Sequence, residues 1–400
     1  MQPTSLDALP ARSRVLVRID CNVPIENGVI QDASRIDATL PTLAILKEKG
    51  CAIAIIGHLG SPHGQYDPKL SLKPVAEYLA SKLNTSVHFY PYTQNLPVEQ
   101  IHALPLGEVA LVDNLRFWAA EEEPNVDPSF AKALSLLGHY FVNDAFACAH
   151  RAHSSIVPIC GYFQGRVYFG QLMELESKAL FDLYTHPRKP YLAILGGAKI
   201  SSKIAVIESL LKQIDALMIG GGMSVPFLKA LGHRLYSPLA DEKSIQAAAE
   251  IIKAASERNI PLYLPVDLSV APSIKESACL RTVSCVDGSL PKEYVVDIGP
   301  KTIAAFKEKL SDYQTIFWNG PMGVFEVEAF SRGTHELAMA IAQQKGYTVV
   351  GGGDSVYAID QLGLKNRFDY VSTGGGACLE FLEKGTLPGI QAILQASAKP

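Results

Sequence analysis

Glycine triplets close three short apolar runs in the C-terminal half of the chain, at residues 220–222, 351–353 and 374–376. Each preceding run (residues 216–219, 347–350 and 368–371) reads as a buried strand. A strand that ends in consecutive glycines leaves backbone N–H groups that another molecule can approach closely, because no Cβ stands in the way. A helix beginning at such a point adds unpaired N–H groups that favour an anion. Three such ends on one sheet point to a polyphosphate site. Residues 196–203 (GGAKISSK) add cations. On a helix starting there, Lys199 and Lys203 would share a face near the positive end, where a bound anion relieves their repulsion. A strand–turn–helix junction with solvated lysines explains that stretch as well, and no Gly-Lys-Ser/Thr follows at P-loop spacing. Asp354, directly after the second triplet, suits Mg²⁺ held against nucleotide phosphates; taken alone, the commoner role of such an aspartate, a helix N-cap, is favoured.

The first half carries different chemistry. Arg18, Arg35, Arg116 and Arg151 stand in separate segments, and at least Arg35, Arg116 and Arg151 fall near strand ends on the expected ligand side. Guanidinium forks match carboxylate and phosphate oxygens; ordinary surface charge is the alternative. His150 and His153 have the spacing of a metal pair, but no further cluster supports a metal. The run at 318–326 (WNGPMGVFE) is rigid, aromatic and irregular, more than a tight turn requires.

These residues need a scaffold that brings strand ends together. Apolar strand-like runs alternate with helical patterns along the whole chain: in the first half at 15–19, 52–56, 87–89, 109–112 and 140–142, in the second at 191–195, 216–219, 261–264, 315–318, 347–350 and 368–371. Helical patterns separate them, the longest in the second half at 202–213, 242–258, 301–309 and 332–345. Runs that are apolar on both faces and separated by helices imply parallel sheets covered on both sides. The pattern occurs twice, so the expected fold is α/β with two Rossmann-like domains joined by an interdomain helix and hinge. Ligands then bind beyond the carboxyl ends of the strands.

The 400 residues exceed one ordinary core. A composition of 48% hydrophobic and 19% charged residues suits a soluble globular chain, and the net charge of −4 gives no footprint for nucleic acid. Residues 1–11 contain no apolar h-region and no run is long enough to span a bilayer, so the expectation is a cytoplasmic protein without membrane or nucleic-acid partners. Seven cysteines, Cys21, Cys51, Cys148, Cys160, Cys279, Cys285 and Cys378, are scattered without CxxC spacing, which fits reduced thiols.

Ten ordered signatures then resemble a phosphoglycerate kinase over essentially the whole length: RIDCNVP at 18–24, HLG at 58–60, NLRF at 114–117, NDAF at 143–146, AHRAHS at 149–154, GGAK at 196–199, DIGP at 297–300, the 318–326 run, GGGD at 351–354 and STGGG at 372–376. The resemblance implies reversible phosphoryl transfer between 1,3-bisphosphoglycerate and ADP, giving 3-phosphoglycerate and ATP, in glycolysis and gluconeogenesis, with Mg²⁺ bound with ATP or ADP. It implies an acid-substrate domain over 1–168, an interdomain helix and linker over 169–188, a nucleotide domain over 189–385, and a tail, 386–400, that returns to the first domain. Family members are typically monomers. The substrate set carried over is Asp20, Cys21, Asn22, Arg35, His58, Leu59, Gly60, Ser61, Arg116 and Arg151. The nucleotide set is Gly197, Lys203, Gly221, Asn319, Glu326 (ribose), Gly352, Gly353, Asp354 and Ser355, with Asp354 on the metal. Arg35 and Lys199 would flank the transferred phosphoryl group, and Gly374 and Gly375 would present N–H groups to it.

The chemistry agrees with that assignment. The acceptor is a carboxylate, ionised at neutral pH, so no general base is required. Phosphoryl transfer needs in-line placement and charge stabilisation, and hinge closure would bring the ligands together and exclude water. Two positions depart from the family pattern: Ser61 stands where His-Leu-Gly-Arg-Pro has arginine, and Ser202 where many members have aspartate. A Rossmann dehydrogenase predicts GxGxxG after the first strand, and the chain has none. A non-catalytic phosphometabolite binder would be favoured by loss of Lys199, Arg35 or Asp354, and all three are present.

Overall fold

The computed structural model describes residues 5–235, 240–274, 280–285 and 293–398; Cys279 lies outside them. The chain forms two compact units, one running to Lys178 and resumed from Thr386, the other spanning Ala179–Gly385.

In the first unit, strands β1 (Arg14–Arg18), β2 (Ala52–Ile56), β3 (Val87–Tyr90), β4 (Val109–Val112), β5 (Tyr140–Asn143) and β6 (Val167–Phe169) form one sheet in the order β3-β4-β2-β1-β5-β6. Every pairing is parallel. β2 and β4 are buried at every position, which is why they read as unbroken apolar runs rather than as alternation. Leu43, Leu46, Val75 and Leu79 from the covering helices pack with Val15, Val17, Ile53 and Ile55.

The helix Gln171–Thr185 carries the chain from one unit into the other. An interdomain segment starting at 169 begins too early, because Phe169 still pairs with Asn143 as the last residue of β6. Asp144 secures the start of this helix: its Oδ1 accepts from the Met173 N–H at 3.1 Å, and burial raises its carboxyl pKa to about 7. The helix Pro388–Ser397 joins the first unit, where the Ala396 carbonyl accepts from the Gly165 N–H at 2.8 Å.

The second unit contains β7 (Tyr191–Leu195), β8 (Ala216–Ile219), β9 (Leu262–Tyr263), β10 (Asp267–Ala271), β11 (Arg281–Ser284), β12 (Tyr294–Ile298), β13 (Thr315–Asn319), β14 (Tyr347–Gly351) and β15 (Tyr370–Val371). Its parallel sheet runs β9-β8-β7-β13-β14-β15. Connections turn one way from β7 and the other way from β13, so the switch point, and the crevice it opens, lies between those two strands. The strands β11-β10-β12 form a separate antiparallel sheet that the sequence reading does not contain. Its edge strand β11 is exposed or half-buried throughout, so it offers no apolar run to recognise. Among the described residues no helix is long and apolar enough to cross a membrane.

Candidate active site

At the switch point of the second unit the strand ends surround a cleft of about 290 Å³, lined among others by Gly197, Lys199, Lys203, Asn319, Asp354 and Gly375. The loops after β7 and β13 are stitched together: the Gly196 N–H donates to the Asn319 carbonyl at 2.9 Å and the Gly197 N–H to the Pro321 carbonyl at 2.8 Å. Gly320 has φ +95°, and a Cβ there would run into the Gly196 carbonyl and come within 2.8 Å of Lys203 Nζ. Only glycine lets the two loops approach this closely.

The lysines do not share a helix face as their spacing predicts. The helix begins at Ile204 rather than 202, with residues 201–203 in a turn. Lys203 Nζ is anchored below, donating to the carbonyls of Gly196 at 2.7 Å and Asn319 at 3.3 Å. Burial lowers its pKa to about 8, opposed by the Asp354 carboxylate. Lys199 is exposed, and its ammonium group has no hydrogen bond or ion pair among the described residues. Lys203 is therefore fixed to the cleft floor with one donor left for a ligand, and Lys199 is wholly free for one.

Two helices start at the cleft without side-chain caps. Gly353–Gln361 has Gly352 as its N-cap, so Asp354 lies inside the first turn and the capping alternative for it falls. Its exposed carboxylate is left for a cation, while the N–H groups of Gly353, Asp354 and Ser355 have no acceptor among the described residues. Ser355 Oγ is turned inward, accepting from the Gly320 N–H at 2.6 Å. The second helix, Gly376–Lys384, has Gly375 as its N-cap, and Gly375 and Gly376 both line the cleft.

Three of the expected nucleotide-side residues either stand outside this cleft or direct a donor at the protein itself. The Gly374 N–H is taken by Ser372 Oγ at 3.1 Å, so Gly375 and Gly376 hold the open donors. Gly221 packs against protein: at φ +63°, its Cβ position lies 2.8 Å from the Pro321 carbonyl and 3.0 Å from Gly197. It buttresses the loop and does not line the cleft. Glu326 is exposed in the loop after β13, also outside the lining. Ser202 does line the cleft, with its hydroxyl donating to the Lys199 carbonyl at 3.2 Å.

The first unit gathers cations at its strand ends. Asp20, just after β1, pairs with Arg35 at 2.9 Å, and its Oδ1 accepts from the Asn22 N–H at 3.0 Å. Asn22 Oδ1 accepts from the Gly60 N–H at 2.9 Å. Arg116 donates through Nη1 to the Gly60 carbonyl at 2.7 Å and to Ser61 Oγ at 3.3 Å. Arg116 Nε lies 3.1 Å from Glu122 Oε1 without hydrogen-bond alignment, so the contact is charge pairing alone. Arg151 is exposed. His58 and His153 report the resulting field. Burial and then Arg18 and Arg116 push His58 well below its ordinary pKa. Burial and then Arg116, Arg18 and Arg151 push His153 down to about 3. The arginine share of both shifts marks a positive local field, which favours an anion.

The side chains of Cys21 and Leu59 belong to the buried core, so their backbone is what remains to face a ligand. The sequence reading missed Glu121, Cys148 and Ser155, which converge on Arg18 and His58. They come from separate segments, and no spacing announces them.

A twin-unit α/β fold, with an anion cleft at the switch point of one sheet and an arginine-rich field at the strand ends of the other, defines a phosphotransferase. The phosphoglycerate kinase family model matches residues 7–385. A phosphoglycerate kinase of Thermus thermophilus is 46% identical over 98% of this chain and 99% of its own length; one from Dictyoglomus turgidum is 45% identical over 96% and 95%. The phosphoglycerate kinase structure from Coxiella burnetii superposes with a TM-score of 0.88 at 38% identity, covering 98% of this chain and 99% of that one. That from Pyrococcus horikoshii gives 0.85 at 31%, covering 98% of each. The chain belongs to the phosphoglycerate kinase family, kinases that transfer a phosphoryl group to a carboxylate.

Proposed function

We propose that the chain interconverts 1,3-bisphosphoglycerate plus ADP with 3-phosphoglycerate plus ATP, as a cytoplasmic monomer in glycolysis and gluconeogenesis. The observation that carries this reading is the cleft of the second unit, where two uncapped helix N-termini, Lys199 and one free carboxylate meet. Such a set fits a magnesium nucleotide. Asp354 would hold Mg²⁺, which would neutralise phosphate charge during transfer. The N–H groups of residues 353–355 and Lys203 take the nucleotide phosphates. Lys199, Gly375 and Gly376 take the phosphoryl group in flight. Arg35, Arg116, Arg151, His58 and Asn22 take the acid substrate, and Arg35 reaches the transferring group.

The acceptor carboxylate is already ionised, so nothing in this scheme needs a base. The two ligand sets belong to different units, so the reading includes hinge closure before transfer, with water excluded from the acyl phosphate. Asp354→Asn tests the nucleotide half. It is expected to weaken Mg²⁺–ADP binding about tenfold, ~1.4 kcal/mol, while leaving 3-phosphoglycerate binding unchanged in calorimetry. Equal Mg²⁺–ADP affinity in the variant would remove Asp354 from the metal site.

A further inference from the structure

Arg18 lies in β1 with only 1% exposure, and its contacts form a directed chain. Its Nε–H donates to Ser155 Oγ at 3.0 Å. The Ser155 hydroxyl donates to Glu121 Oε1 at 2.6 Å, and the Ser155 N–H donates to Oε2 at 3.0 Å. Nη1 donates to the Ile19 carbonyl. Nη2 lies 3.2 Å from His58 Nδ1.

That last contact has one chemical solution. A guanidinium carries N–H donors and no acceptor at any pH a protein reaches. A proton on His58 Nδ1 would set two N–H groups head to head in a buried site. Nδ1 must therefore be a lone pair, the ring must be neutral, and its proton must sit on Nε2. Nε2 makes no hydrogen bond among the described residues. The neighbours agree. Cys148 Sγ is 3.8 Å from Nδ1, and burial raises that thiol to about 11, so it stays a donor. Arg116, His153 and Arg35 add to the field that disfavours imidazolium, and Asp20 is the acid nearby. Asp20, His58 and Cys148 bring potential metal-ligand atoms within 4.8 Å of one another. Arg18 Nη2 already stands 3.2 Å from the His58 nitrogen and 3.9 Å from the sulfur, so the cation among these donors is the guanidinium.

We propose that Arg18, held by Ser155 and Glu121, is a positioning residue that locks His58 as a neutral Nε2–H donor toward carboxylate or hydroxyl oxygens of the acid substrate. The assignment rests on reading the first unit as the acid-substrate half-site. A lone pair in that position would repel an anion, and an imidazolium would make binding vary across neutral pH. The relay removes both problems.

The test uses the full chain with ¹⁵N-labelled histidine, His58 being assigned by His58→Gln. Long-range proton–nitrogen spectra are expected to show His58 as the pure Nε2–H tautomer from about pH 6 to about pH 8. A double variant, Arg18→Met with Glu121→Gln, removes the donor and the buried acid together and so strands no charge. It is expected to give mixed tautomers, and a KM for 3-phosphoglycerate raised about tenfold with the KM for ATP unchanged. A wild-type ring protonated on Nδ1, or titrating near its ordinary pKa, overturns the proposal even if the double variant does not fold. An unchanged tautomer in a folded double variant overturns it too. The tautomer measurement needs no turnover, so its failure is distinct from a failure of the assigned reaction.

Discussion

Lys199→Ala is expected to lower kcat by about 100- to 1,000-fold while changing ADP affinity less than about fivefold. The reason lies in the unequal situations of the two cleft lysines. Lys203 is half-buried and spends two of its three N–H donors on the carbonyls of Gly196 and Asn319, so it is held in place with one donor left for ground-state phosphates. Lys199 is exposed and unpaired among the described residues, so its charge is available for the group in flight. An interaction strengthened only in the transition state appears in kcat and not in binding. Steady-state rates and ADP calorimetry on the same preparation separate the two. An unchanged kcat would refute the role, and an affinity loss as large as the rate loss would make Lys199 a ground-state ligand.

Trp318→Ala is expected to destabilise the second unit by about 3–5 kcal/mol. Trp318 is fully buried in β13, in the core formed with Leu192, Ile194, Met218 and Val350. Its indole N–H donates to the Gly320 carbonyl at 2.8 Å, so the side chain both fills the core and fixes the loop that floors the cleft. Removal leaves a cavity and an unpaired buried carbonyl. Trp318→Phe keeps most of the volume and should lose only about 1–2 kcal/mol. Urea unfolding followed by far-ultraviolet circular dichroism, with and without ADP, measures both. A loss below about 1 kcal/mol for the alanine variant would contradict the core assignment.

Much of this was legible in the residues because local pattern and chemistry coincide at strand ends. β2 and β4, apolar on both faces, were expected at their observed limits. The triplets at 351–353 and 374–376 did lead into helix N-termini at a cleft. Features decided by tertiary contact were not legible. The i, i+4 spacing of Lys199 and Lys203 suggested one helix face, yet the turn at 201–203 gave them different depths. Gly374 lost its open N–H to a serine two residues away. The Cys21 side chain lies in the core, a placement set by tertiary packing beyond the end of β1. β11 carries arginine and threonine on exposed positions and so resembled a loop. The Arg18–Ser155–Glu121 relay joins three segments and has no sequence period at all.

The central claim is that this chain moves a phosphoryl group between a nucleotide and a carboxylate. The direct measurement is ADP formation by the folded protein with ATP, Mg²⁺ and 3-phosphoglycerate, read through a coupled assay and repeated with each component omitted. The account predicts sustained turnover that requires both substrates. No turnover by well-folded protein, or ADP release that is the same without 3-phosphoglycerate, would contradict it.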